Sequence, residues 1–313
     1  MSNNLPLISI ISPVYKAEKI IPELVNQINH ETLKITAQFE IVLVEDGSPD
    51  NSWEEIEKQC ILFPHVKGIK LSRNFGQHFA ITAGIENAKG EYVIVMDCDL
   101  QDNPKYISDL YQQALKGFDI VYTYKTERNH TFLKNITAHL FNKIFNYLID
   151  NTNWKSNNNI GAYSLLSRKA VNAFISLNDY QRHYLMILRW IGFRHTYIEI
   201  QHNKRAEGKS SYSFSKLVIH AINGITSQSD KLLRLNIITG IILSIVSFLS
   251  IILIITLYLL QGFLSGWTSL VVLILFSTGM IMTSIGITGI YVGKTFEQTK
   301  NRPKFIIDKR LND

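Results

Sequence analysis

Glu40-Ile41-Val42-Leu43-Val44-Glu45-Asp46-Gly47-Ser48-Pro49-Asp50 is an apolar run that stops in acids and turn formers. Glu91-Tyr92-Val93-Ile94-Val95-Met96-Asp97-Cys98-Asp99 repeats that plan further along the chain. A short apolar run without polar alternation suits a strand buried on both faces. Residues 7–11 and 66–71 are similar β-rich runs, and residues 20–35, 52–62 and 75–88 carry helical patterns between them. Strands alternating with helices predict an α/β domain with a mostly parallel sheet. Ligands of such sheets bind beyond the carboxyl ends of the strands. The acids Asp46 and Asp50 at one strand end, and Asp97, Asp99 and Asp102 at another, are therefore predicted to face one crevice.

The chain as a whole has 313 residues and a net charge of +6. Its mean hydropathy of +0.05 averages two unlike parts. Residues 235–293 contain no Asp, Glu, Lys, Arg or His. This run divides into two spans, 235–260 and 268–293, around Gln261-Gly262-Phe263-Leu264-Ser265-Gly266-Trp267. At about 1.5 Å per residue each helix would reach roughly 39 Å, enough to cross about 30 Å of hydrocarbon. A wholly soluble chain and a disordered one are both excluded. Lys231 and Arg234 precede the hairpin, and Lys294, Lys300, Arg302, Lys304, Lys309 and Arg310 follow it. The positive-inside rule predicts both flanks in the cytoplasm. The basic balance then matches anionic lipid headgroups, and no nucleic-acid motif is present. No signal peptide is visible at the start, and two cysteines cannot make a disulfide framework.

The predicted organisation is a cytoplasmic domain over 1–210, an amphipathic interfacial region over 211–234, the hairpin over 235–293 and a basic cytoplasmic tail over 294–313. Apolar residues recur at helical spacing at Leu133, Ile136, Leu140, Phe141, Ile144 and Leu148, and again at Phe214, Leu217, Val218, Ala221, Ile222 and Ile225. Either stripe suits packing on a core or lying in a membrane interface.

Asp97-Cys98-Asp99-Leu100-Gln101-Asp102 is the sharpest chemical signal. Two carboxylates flanking one residue at a strand end can share a hard divalent cation that keeps open positions for diphosphate oxygens. Such pairs also arise by chance in loops. Asp-Gly-Ser-Pro-Asp at 46–50 is equally good turn chemistry. Asp102 can serve a site or cap the helix that Pro104 opens.

Four stretches in order, Ser12-Pro13-Val14-Tyr15, Val44-Glu45-Asp46-Gly47-Ser48-Pro49-Asp50, Leu71-Ser72-Arg73-Asn74-Phe75-Gly76 and Met96-Asp97-Cys98-Asp99-Leu100-Gln101-Asp102-Asn103-Pro104, resemble the family 2 glycosyltransferases. The likeness is strongest to the membrane-anchored polyprenyl-phosphate glycosyltransferases, which include dolichyl-phosphate mannose synthase and bactoprenol glucosyltransferases. It continues through Arg205-Ala206-Glu207-Gly208-Lys209-Ser210-Ser211-Tyr212 and into Glu297 and Lys300-Asn301-Arg302-Pro303.

The resemblance implies a GT-A-type nucleotide-sugar-binding domain and an inverting, metal-dependent transfer using Mg²⁺ or Mn²⁺. It implies that Pro13, Tyr15, Glu18, Asp46 and Asp50 line the nucleoside pocket. Arg73 would meet phosphate or acidic neighbours, or form a structural ion pair. Asp97, Asp99 and Gln101 would hold the metal and donor diphosphate, with Asp102 beside them. Arg205, Lys209 and Ser210 would meet a phosphate near the membrane, the alternative being a basic loop that binds headgroups loosely. The implied partners are a UDP- or GDP-linked sugar, a polyprenyl phosphate such as undecaprenyl phosphate, the membrane, and a second copy of the chain.

Three positions depart from the family pattern. Lys16-Ala17 stand where Asn-Glu commonly follows the tyrosine. Cys98 takes a slot that is often Ala. Gly161-Ala162-Tyr163-Ser164-Leu165-Leu166 stands where glucosyl and mannosyl members carry Gly-Asp-Phe-Arg-Leu, so the sugar is left open. Asn157-Asn158-Asn159 could supply amide contacts or simply form a polar loop. A lipid monophosphate, with a second pKa near 6, is already largely dianionic at neutral pH and needs no general base. A lipid-diphosphate-linked saccharide as acceptor would need one, and a catalytically silent membrane scaffold needs no chemistry at all.

Overall fold

A computed structural model of the chain describes residues 5–125, 160–180, 182–201, 230–261 and 266–313. The described residues form two compact units, one built on a sheet and including residues 302–313, the other ending at Asn301.

The sheet unit begins with β1 (Ile8–Val14), α1 (Ile21–Leu33), β2 (Phe39–Glu45), α2 (Ser52–Leu62), β3 (Val66–Leu71), α3 (Gln77–Asn87) and β4 (Tyr92–Val95). A 3₁₀ turn at Pro104–Tyr106 then leads into α4 (Ile107–Leu115). β5 (Ile120–Lys125), β6 (Ile160–Ser167), α5 (Arg168–Ser176), α6 (Tyr184–Ile191) and β7 (His195–Ile200) follow, and β8 (Ile307–Leu311) comes from the end of the chain. The strand order is β7-β5-β6-β4-β1-β2-β3-β8. β1 pairs in parallel with β2 and β4, and β2 with β3. The apolar runs are apolar because every residue of β1 and β2 is buried. Strand order reverses between β1 and β4, which places a ligand crevice at their carboxyl ends.

β6 runs antiparallel between β4 and β5, with Ser164 opposite Val95 and Tyr122. This sets the Ala162–Ser164 segment beside the strand that delivers Asp97. Residues 294–313, read from sequence only as a basic tail, split differently. Their first part continues a long helix, and Ile307–Leu311 becomes an antiparallel edge strand on β3. Ile307 and Leu311 are half-buried while Asp308, Lys309 and Arg310 are exposed. Three consecutive charges hide that strand from a search for apolar runs.

The second unit contains α7 (Lys231–Gln261) and α8 (Trp267–Thr299), 31 and 33 residues long. Both are long and apolar enough to cross a membrane. Ile237, Phe248, Leu253, Leu273, Phe276 and Ile285 are each more than half exposed, an apolar surface that water would penalise heavily. Asn236 Nδ2 donates to Ser284 Oγ at 2.8 Å and joins the two helices. The stripes over 133–148 and 214–225, Asn157–Asn159, and Arg205, Lys209 and Ser210 lie outside the described residues.

Candidate active site

Three loops converge at the carboxyl ends of β1, β2 and β4. Tyr15 leaves β1 exposed, and its amide hydrogen-bonds the Cys98 sulfur in the loop after β4. Pro13 is buried within β1. Asp46 follows β2 and is 3% exposed. Its Oδ1 accepts the Phe75 amide at 2.7 Å and its Oδ2 the Gly76 amide at 2.9 Å. Burial pushes the Asp46 carboxyl group up, while those two amides and the Arg73 charge pull it down. Asp46 therefore clamps the loop between β3 and α3.

Gly47 explains why that loop can come so close. Its φ is +59°, and a Cβ there would stand 2.2 Å from the Asn74 nitrogen and 2.5 Å from the Arg73 carbonyl carbon. No side chain fits between these backbones. Arg73 lies exposed at the same contact, its guanidinium 4.2 Å from the centre of the Phe75 ring.

Asp50 and Glu18 are held in hydrogen bonds between loops. Asp50 Oδ1 accepts the Ser48 hydroxyl at 2.5 Å and the Ser52 hydroxyl at 2.6 Å, and Oδ2 accepts the Glu18 amide at 3.3 Å. Burial opposes ionisation of Asp50, yet these donors outweigh it and hold the carboxyl below its usual range. Glu18 in turn accepts the Asn51 side chain and amide, at 3.2 and 3.4 Å. Both acids tie the loop after β1 to the loop after β2, which is the turn reading of Asp-Gly-Ser-Pro-Asp.

Asp97 and Asp99 are half-buried just beyond β4. Gln77 Nε2, on the first residue of α3, donates to Asp97 Oδ1 at 2.6 Å. The Gln101 amide donates to Asp99 Oδ1 at 3.1 Å, and Leu100 adopts φ of +56° inside that turn. Burial pushes the Cys98 thiol up to about 12, and its sulfur accepts the Tyr15 amide. The carboxylates of Asp97 and Asp99 are hard oxygen donors, which fit Mg²⁺ or Mn²⁺. Among the described residues no group of three His, Cys, Asp or Glu side chains is arranged to hold a metal; two carboxylates leave the other positions to ligand oxygens and water.

Asp102 is 1% exposed and does not cap the following turn. That cap is Asn103, whose Oδ1 accepts the Lys105 amide at 2.9 Å. Asp102 instead lies near the buried Tyr163, whose phenol is pushed well up by burial and by the Asp102 charge.

Gln77, His78, His183 and Tyr184 escaped the sequence reading, whereas Ser164 stood out there as a departure from the family pattern. Ser164 is fully buried, and its hydroxyl meets the Tyr184 hydroxyl at 2.8 Å. His78 and His183 stack with ring centres 4.3 Å apart, joining the start of α3 to the start of α6. Gln77 and His78 directly follow Arg73-Asn74-Phe75-Gly76, so a helix start after that motif was the signal available for them. Tyr184 and His183 had none, because tertiary contact alone brings α6 to α3.

The glycosyl transferase family 2 model matches residues 9–174, which include all three loops. The chain belongs to glycosyl transferase family 2. It is 32% identical over 303 residues to the uncharacterized glycosyltransferase YkcC of Bacillus subtilis, covering 96% of this chain and 93% of that one. It is 33% identical over 304 residues to the SfII prophage-derived bactoprenol glucosyl transferase of Shigella flexneri, covering 96% and 97%. An undecaprenyl-phosphate 4-deoxy-4-formamido-L-arabinose transferase of Proteus mirabilis is 29% identical over 307 residues, covering 96% and 93%. Among solved structures, glucosyl-3-phosphoglycerate synthase from Mycobacterium tuberculosis, in complex with Mn²⁺, UDP and phosphoglyceric acid, has the same fold. The TM-score is 0.51 at 14% identity, over 71% of this chain and 77% of that one. The sheet unit is accordingly of the GT-A type, and the protein is a family 2 glycosyltransferase.

Proposed function

We propose that this family 2 enzyme transfers a sugar, with inversion, from a UDP- or GDP-linked donor to a polyprenyl phosphate such as undecaprenyl phosphate at the cytoplasmic membrane face. The product would be a lipid-linked sugar for modification of a cell-surface glycan. The observation that carries this reading is the meeting of Tyr15, the Asp46–Gly47 turn, the Arg73 loop and the Asp97/Asp99 pair at one end of the sheet. The names of two relatives matched along nearly their whole length point to the acceptor.

In this reading Pro13, Tyr15 and Asp46 shape the nucleoside pocket. Glu18 and Asp50 keep its loops in place. Arg73 neutralises donor phosphate. A Mg²⁺ or Mn²⁺ ion held by Asp97 and Asp99, with Gln101 beside them, would supply charge stabilisation for the leaving nucleoside diphosphate. Tyr163, beside Asp102, ties that loop through its hydroxyl, which donates to the Asn103 carbonyl at 3.4 Å. Arg205, Lys209 and Ser210 are assigned to the lipid phosphate. The acceptor is already anionic at neutral pH, so the protein's task is to align two anions and hold their charge. This agrees with a sequence in which no His or Glu stands out as a base.

A hairpin with both ends on the cytoplasmic side is part of this reading. It is supported by the sheet unit's having residues from before α7 and from after α8, and by the flanking Lys and Arg residues.

The test is transfer to undecaprenyl phosphate by purified protein in detergent, over a panel of UDP- and GDP-sugars with Mg²⁺ or Mn²⁺, comparing wild type with Asp99→Ala. A lipid product from one donor, lost in the variant, supports the reading and names the sugar. Absence of product from every donor, with the protein folded, refutes it in favour of a saccharide acceptor or a silent scaffold.

A further inference from the structure

Residues 302–313 follow the hairpin in sequence but are built into the sheet unit. β8 pairs with β3, setting Ile307 opposite Leu71 and Leu311 opposite Gly68. The Ser72 amide donates to the Ile306 carbonyl at 2.9 Å. Lys304 Nζ donates to the Leu177 carbonyl at 3.3 Å and lies 3.5 Å from Glu86 Oε1. Asn312 Nδ2 donates to the Cys60 and Val66 carbonyls, each at 2.8 Å. The segment is thus fastened at both ends and along its length.

Its position matters because of what Ser72 carries. The next residue is Arg73, and the loop from there to Gly76 rests on Gly47 and on the Asp46 carboxyl. That loop has two anchors, the Asp46–Gly47 turn at its far end and the Ile306 carbonyl at its root. The pairing of β3 with β8 is irregular between Lys70 and Leu71, at that root, so the exit of β3 is shaped by the tail as well as by β2.

We propose that the C-terminal strand is a positioning clasp for the donor site, with Lys304 and Asn312 as the residues that fasten it. Docked, it holds the 72–76 loop where Arg73 meets the donor phosphates. Released, it leaves the loop without its root. The inference rests on the nucleotide-sugar reading above. Linkage makes it reciprocal: if the docked tail favours nucleotide, nucleotide favours the docked tail by the same factor. The hairpin then contributes to catalysis through its covalent continuation, besides anchoring the enzyme.

The test uses the full chain in detergent with the nucleoside diphosphate, UDP or GDP, that wild type binds in the presence of Mn²⁺. Lys304→Ala combined with Asn312→Ala should raise its Kd and the donor KM about five- to tenfold, within the usual range of such couplings, while kcat at saturating donor is retained. A merely structural role would lower kcat by reducing the folded fraction and leave Kd and KM in place; that result overturns the proposal. Hydrogen exchange on wild type decides the matter if the double variant does not fold. Bound nucleotide should slow exchange across 306–312, and unchanged exchange there overturns the clasp while the donor reading stands. A wild type that binds neither nucleotide overturns both.

Discussion

Gly47→Ala should damage the donor site and the fold together, by an amount the geometry specifies. The added Cβ would stand 2.2 Å from the Asn74 nitrogen and 2.5 Å from the Arg73 carbonyl carbon. Both are backbone atoms, so relief requires the 72–76 loop to retreat. Retreat breaks the bonds from the Phe75 and Gly76 amides to Asp46, now 2.7 and 2.9 Å. Each such bond contributes about 1–3 kcal/mol, and a left-handed alanine adds roughly 1 kcal/mol. The sum is about 3–7 kcal/mol. Gly192 is the matched control: its φ is +67°, but a Cβ there meets nothing nearer than 3.7 Å. Gly192→Ala should therefore lose only the conformational part, about 1 kcal/mol. The conformational part is common to both, so the difference is about 2–6 kcal/mol; at about 2–4 °C per kcal/mol for a unit of this size, Gly47→Ala should melt roughly 4 °C or more below Gly192→Ala. Thermal unfolding of both variants in detergent reads the difference, and nucleotide titration should show weakened binding only for Gly47→Ala. Equal melting temperatures with equal nucleotide affinity would refute the close-packed loop.

Three further outcomes follow from buried and half-buried polar groups. Glu45 is 1% exposed, its Oε2 has no hydrogen-bond partner, and burial pushes its carboxyl up. Its contribution is full below the unfolded value near 4.3 and is lost as pH rises through the folded value; Glu45→Gln should thus melt higher than wild type at pH 7.5 and no higher at pH 4. Asp50 has the opposite sign, because its folded value is depressed. Asp50→Asn should be less stable than wild type at neutral pH, with the gap closing as pH falls below about 4; a gap that persists in acid would assign the loss to shape instead of charge. Tyr184→Phe and Ser164→Ala each break the 2.8 Å hydroxyl pair at a cost of about 1–2 kcal/mol, and denaturant titration of the double variant should show a loss smaller than the sum.

The legible part of the site was local. Asp97 and Asp99 follow β4 directly, and Asp46 follows β2, so an apolar run ending in acids was enough to put them at strand ends. The alternation of elements through residue 95 was readable because short apolar runs mark the buried strands and helical spacing marks the segments between them. Functions that depend on a contact across the sequence were not readable. Asp46 and Asp50 sit in one five-residue turn, yet one clamps the loop after β3 and the other joins the loops after β1 and β2. Composition cannot separate them, since the difference lies in which amides happen to face each carboxylate. Asp102 and Asn103 are equally good caps by type, and with Pro104 as the first residue of the turn the cap is Asn103.

Hydrophobic periodicity and the unbroken apolar run from 235 to 293 determined by themselves that this protein has an α/β domain and two membrane-length helices. Those are properties of short segments, where burial of apolar side chains dominates and spacing alone reveals the partner face. Tertiary structure decided what stands next to what. It inserted β6 antiparallel between β4 and β5, bringing Ala162 and Ser164 beside the Asp97 strand. It also returned Ile307–Leu311 to the edge of β3, under the root of the Arg73 loop. Pairing of that kind is made by backbone hydrogen bonds, which every residue except proline can offer on both sides. The side-chain pattern therefore carries little record of it, least of all in a strand as charged as β8.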